Sequence, residues 1–257
     1  MPPPPPGSGQ GGGPKWLVVA AIVLVVAIGV GATVVLTSGD DAPELAPPGL
    51  ELDELQPALV DEDDLGGDWA EVDDAEPSET EEPEVSEECR RVQEERGDAA
   101  NESLPTVFAV FRQQSAANPP GVLVHSFALV TEDMPSFDEV RESADVCDEE
   151  TVDDGEVTTT TVRRLVDADE LGDDVLAFET EHTVVDNDGD QRSSLTHGYE
   201  LLVRRDGVLS IVVMSVGFVG AGSSDDEMVE SGLPDVDLVH QLAADADERV
   251  IAVLDDQ

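Results

Sequence analysis

Any chemistry in this chain has to come from a short list of side chains. There are four histidines (His125, His182, His197 and His240), two cysteines (Cys89 and Cys147), and 60 acids against 12 bases. A zinc site needs histidines and cysteines at close, regular spacing. No H-x-x-x-H or H-E-x-x-H occurs, and no histidine lies at ligand spacing from either cysteine. His125 precedes Ser126, but neighbours on a strand point to opposite faces. There is no G-x-S-x-G elbow and no phosphate-cradling glycine loop ending in Lys-Ser/Thr. The run GFVGAG at 217–222 reads as a strand exit, since no helix pattern opens behind it. Acid pairs are so common that two adjacent carboxylates imply only a solvated face. The expectation is no catalytic set, no metal centre, no cofactor, and therefore no enzyme; the ligand-binding residues stay open.

DNDGD, residues 186–190, superficially resembles a calcium loop. The twelve-residue calcium loop needs glycine at its sixth position and glutamate at its twelfth. Those places hold Gln191 and His197, and the flanking pattern is strand rather than helix. A hairpin turn is the better reading, with weak cation binding at Asp186, Asp188 and Asp190 left open.

These residues sit on a chain with a marked polarity. Residues 16–37, WLVVAAIVLVVAIGVGATVVLT, are 22 long and uncharged. At about 1.5 Å per residue the run spans roughly 33 Å, close to a bilayer's hydrocarbon thickness. Lys15 precedes it and Asp40 and Asp41 follow, so the positive-inside rule puts the N-terminus in the cytoplasm. Trp16 fits the membrane interface. A cleaved signal peptide would have a shorter apolar region and an A-x-A-like site; Thr37-Ser38-Gly39 is a poor one. Ala27 and Gly31 form a small-xxx-small pair that could seat a second helix. Residues 1–15 are a Pro/Gly-rich tail favouring extended polyproline and flexible conformations.

The expected organisation is a cytoplasmic tail (1–15), a transmembrane helix (16–37), an acidic linker (38–49) and an extracytoplasmic domain (50–257), whose stretch 50–103 is acidic and partly irregular. The location is the cell membrane, single-pass, with the C-terminal domain outside. Membrane lipid is the partner of the anchor. The net charge of −48 makes nucleic acid a poor partner, because its phosphates would be repelled. Outside the cytoplasm Cys89 and Cys147 are expected to pair. Closing that loop of about 58 residues stabilises by up to roughly 4 kcal/mol on the chain-entropy argument. Two free thiols or a metal site are the rival reading.

Within 50–103 two islands interrupt a spacer-like stretch. One has apolar points at Leu50, Leu52, Leu55, Leu59, Val60 and Leu65, followed by Gly66, Gly67 and Trp69. It reads as a short amphipathic helix and a turn that docks Trp69 on the domain. The second, around Cys89, reads as a short helix, and residues 73–84 between them as loop. Further on, strands are expected at 106–111, 122–130, 157–166, 175–185, 195–204 and 208–219, joined by turn-forming stretches. Ser136 and Glu139 form a capping box, with Phe137, Val140, Ala144 and Cys147 on one helical face. A last helix at 235–254 buries Val239, Leu242, Ala246, Val250 and Val253. The fold class is α+β: an antiparallel sheet of about six strands with two main helices packed on it, on one face, preceded by one transmembrane helix.

PALVDEDDLGGDW near residue 57, VLVHSFALV, FDEVRESADVC, LLVRRDGVLSIVV and the closing helix together cover residues 50–254. On these the domain resembles the extracytoplasmic sensor-like domains of actinobacterial membrane proteins and lipoproteins, among them the outer domain of a mycobacterial serine/threonine kinase. The resemblance implies a ligand-binding or sensing module with structural disulfides and a cleft beside the sheet. This chain departs from it in having one possible bridge and no attached kinase. The expected function is a membrane-anchored, non-catalytic ligand-binding or sensing domain at the cell envelope, its partner a small envelope ligand or an envelope protein. The alternative is a structural or protein-partner module of the envelope.

Overall fold

A computed structural model describes residues 45–72, 84–96, 105–114, 121–131, 134–153, 155, 157–186, 191–219 and 233–256. The expected transmembrane helix (16–37), the tail, most of the linker and Asn187 to Asp190 of DNDGD lie outside the described residues. Among the described residues no helix is long and apolar enough to cross a membrane.

The chain enters through a 3-10 helix, Leu52–Ala58, and a one-turn helix α1, Glu62–Leu65. It continues through β1 (Trp69–Glu71), β2 (Glu84–Val85), α2 (Glu87–Arg96), β3 (Thr106–Gln113), β4 (Gly121–Leu129) and α3 (Phe137–Ala144). Then come β5 (Glu149–Asp153), β6 (Val157–Val166), β7 (Asp174–Asp186), β8 (Gln191–Arg205), β9 (Val208–Val219) and α4 (Val236–Asp255). The strands form one antiparallel sheet of nine, in the order β1-β3-β4-β9-β8-β7-β6-β5-β2.

The expectation of about six strands is corrected to nine. The six long strands stand where alternation and turn residues put them. The three added ones are two to five residues long and acid-rich: WAE, EV and EETVD. Their own pattern says nothing about strand; they become strand because β3 (beside WAE), β6 (beside EETVD) and then β5 itself (beside EV) have backbone groups that need partners. β8 and β9 meet at Asp206-Gly207, where φ is +46° and +74°. Positive φ at both central residues is what a two-residue hairpin turn requires.

A second correction concerns the helices, which lie on opposite faces of the sheet. The stripe Val239, Leu242, Ala243, Ala246 and Val250 of α4 packs with Phe111, Leu123, Phe127, Leu201 and Val212. The N-terminal residues Leu50, Leu55, Leu59, Val60 and Leu65 join that cluster, and Trp69 packs against it as expected. Val253, placed in the stripe from sequence, is only half-buried. On the other face Phe137, Val140 and Ala144 of α3 pack with Leu176, Phe178, Leu202, Ile211 and Val213. The α3 capping box is present: Ser136 Oγ accepts from Glu139 N at 3.3 Å, and Glu139 Oε2 accepts from Ser136 N at 2.9 Å. Cys89 and Cys147 form the disulfide, with Cα atoms 5.0 Å apart, tying α2 to the chain just beyond α3.

Candidate functional site

The residues that line a concavity lie where β6 ends, β7 and β8 run side by side, and α4 begins. β6 delivers Val166 and the turn residues Asp167, Ala168 and Asp169; β7 delivers Glu179; β8 delivers Tyr199; the first turn and a half of α4 delivers Val236, Asp237 and His240. Together they border an open cleft of about 420 Å³. Tyr199 and Glu179 share a face because they are direct cross-strand partners. α4 starts there because Pro234 cannot extend a helix backwards and Asp235 caps it, its Oδ1 accepting from Leu238 N at 3.0 Å.

The floor is a hydrogen-bonded pair. Tyr199 Oη and His240 Nε2 are 2.8 Å apart, with ring centroids at 5.7 Å and planes tilted by 40°. Tyr199 is 4% exposed. Burial raises its phenol above the ordinary 10, and the carboxylates of Glu179 and Asp169 raise it further, since both oppose a phenolate. The lining holds four carboxylates, Asp167, Asp169, Glu179 and Asp237, and no lysine or arginine. Such a wall attracts ammonium and guanidinium groups and repels anions. It has no serine, cysteine or threonine to act as a nucleophile, and a neutral phenol at pH 7 is a poor one.

Only one of the four histidines, His240, lines the cleft. His125 is fully buried: its Nδ1 accepts from Val60 N at 3.0 Å, and Nε2 faces Ser210 Oγ at 3.1 Å. The accepting Nδ1 makes Nε2 the protonated nitrogen. Burial lowers this imidazole to about 3, and Arg249 pushes in the same direction. His182, against Thr161 Oγ1 at 2.9 Å, is lowered by burial to about 4. His197 Nδ1 stands 4.0 Å from Glu181. Ser126 lies on the opposite face from His125, so those neighbours do not cooperate. Among the described residues no group of three or more His, Cys, Asp or Glu could hold a metal ion.

Sequence reasoning missed Tyr199, Asp167, Asp169, Glu179 and Asp237. Tyr199 is the sole tyrosine and sits in an apolar strand, HGYELL, which is a usable signal. The acids gave none, because 60 of them are spread along the chain.

No family model matches the chain, and no curated protein matches it. Among solved structures it is similar to the X-ray structure of an uncharacterized protein from Mycobacterium smegmatis, with 12% identity and a TM-score of 0.41 over 83% of this chain and 98% of that one. A likeness of that size carries no functional argument.

Proposed function

We propose that this chain is a membrane-anchored, non-catalytic ligand-binding or sensing module outside the cytoplasm, and that its cleft takes a small cationic ligand. The observation that carries the reading is the ring of Asp167, Asp169, Glu179 and Asp237 around the Tyr199–His240 floor. An amine or guanidinium seated there has carboxylates to accept its N–H groups. The tether rests on the uncharged run at 16–37, and the sensor-like character on the resemblance of residues 50–254. A net charge of −48 adds a long-range field that gathers cations toward the cleft, more strongly at low salt.

The test is calorimetric titration of the full chain in detergent with spermidine, and with acetate as the anionic control. Saturable spermidine binding is expected, weakened at least tenfold by Glu179→Gln with Asp169→Asn, at unchanged melting temperature. Equal binding by that double variant would remove the cleft from the reading. Recovery of the intact protein in the soluble cytosolic fraction, with both thiols open to alkylation, would remove the tether.

A further inference from the structure

The N-terminal stretch 50–65 crosses the α4 face as a strap. Leu50, Leu55, Leu59 and Leu65 are buried in the core, as any docked segment's leucines would be. Its polar fastenings are more specific, and they are gathered at residues 59–64. Arg249 of α4 donates from Nη1 to Leu59 O at 2.9 Å and from Nη2 to Asp64 Oδ1. Between them the Val60 N–H donates to an imidazole, His125 Nδ1, at 3.0 Å.

That last bond exists in only one protonation state. The neutral ring offers Nδ1 as acceptor and turns Nε2–H toward Ser210 Oγ. An imidazolium carries a proton on both nitrogens. It would set two donors face to face at Val60 and bring a second cation beside Arg249. The charged groups that bear on the ring are Arg249, which opposes protonation, and Asp64 on α1, which favours it. Asp61 and Asp245 act on Arg249 rather than on the ring directly. The ring's cross-strand partners are Ala109 on β3 and Val212 on β9, neither of which titrates. The site is fully buried, so a proton cannot be accommodated by water while the strap is down.

We propose that the strap is an acid-released latch: proton uptake by His125 lifts residues 50–65 off the sheet while the strands stay paired. Release uncovers the apolar surface around Leu55 and Leu59 and lengthens the connection between the domain and the residues before it. Docked, the imidazole titrates at about 3; released, it returns toward its ordinary 6.5. The released form therefore gains about tenfold per pH unit below 6.5, roughly a hundredfold by pH 4.5. Asp64 adds in the same direction, since its protonation loosens the bridge to Arg249.

Hydrogen exchange of the full chain in detergent, read by mass spectrometry at pH 7.5, 6.0 and 4.5 and corrected for intrinsic rates, tests this. Peptides from 50–65 should lose protection about a hundredfold by pH 4.5, with a one-proton slope, while β8 and β9 peptides keep theirs. His125→Asn retains an acceptor oxygen that does not titrate, and should hold the strap down at pH 4.5. His182→Asn should release like the parent chain. A strap that stays protected at pH 4.5, or that opens only together with β8 and β9, overturns the latch. So does a His125→Asn strap that still opens. The slope and order of opening in the parent chain decide the matter even where the variant does not fold.

Discussion

On the α4 face the deepest polar group is His125, held by one backbone N–H and one hydroxyl, with no charge on it. On the α3 face the deepest is Glu200, 1% exposed and bonded at 2.8 Å to Arg163, whose guanidinium stacks 3.6 Å over Phe178. Glu200 Oε1 and Arg163 Nε find no hydrogen-bond partner among the described residues. One face buries a neutral, satisfied group and the other an ion pair left partly unsatisfied. The neutral group costs little to bury but fails once protonated. The ion pair costs more, because desolvation of both charges offsets much of their attraction. Acid also acts differently on the two faces: His125 lies on the α4 face, while His182 shares the α3 face with Glu200. The two buried histidines bind protons more weakly folded than unfolded, so stability falls as pH drops below 6.5 toward about 4 for His182 and about 3 for His125. Burial raises Glu200 and Glu150 above their ordinary 4.5, so their contribution is full below 4.5 and fades as pH rises. The α3 face has that compensation and the α4 face does not.

The contrast can be broken most forcefully at the ion pair. Arg163→Ala strands the Glu200 carboxyl and should cost about 3–5 kcal/mol in urea unfolding, whereas Arg163→Met with Glu200→Leu should be near neutral or stabilising. A double variant as unstable as the single one would mean the pair is not the source of the cost. The acid contrast is smaller. Glu200→Gln removes the compensating carboxyl and should steepen the loss of stability between pH 6.5 and 4.5, toward a limit of about 1.4 kcal/mol per pH unit for each buried histidine. An unchanged slope would assign the compensation elsewhere. The smallest effect is expected at the β8–β9 turn. A methyl group at Gly207 would meet the backbone of Leu45 and Ala46, and φ there is +74°. Gly207→Ala should cost about 1–2 kcal/mol, with the loss of protection confined at first to Ala46, whose N–H donates to Val130 O.

The long strands were legible because their apolar, β-rich runs and turns are local properties. Asp206-Gly207 announces its hairpin, and Ser136 with Glu139 announces its helix. The edge strands were not legible, because WAE or EV becomes strand only beside an unpaired ladder. The two-sided packing had a signal that went unused. β4 reads GVLVHSFAL and is buried on both faces almost throughout. An apolar run of that kind, unlike an alternating one, says that both faces of the strand are covered. The cleft was illegible for a different reason. Asp167, Glu179 and Asp237 differ from the other acids only in being brought together by the turn after β6 and the start of α4.

The short acidic strands at the two ends of the sheet have a consequence beyond this chain's own stability. An open ladder is a template on which another molecule's strand can grow. Here the outermost strands are three and two residues long and carry Glu71 and Glu84. A neighbouring copy arriving edge-on would find few amides to grip and a strong field of its own sign. Along these described end strands, edge-to-edge joining of copies is therefore disfavoured.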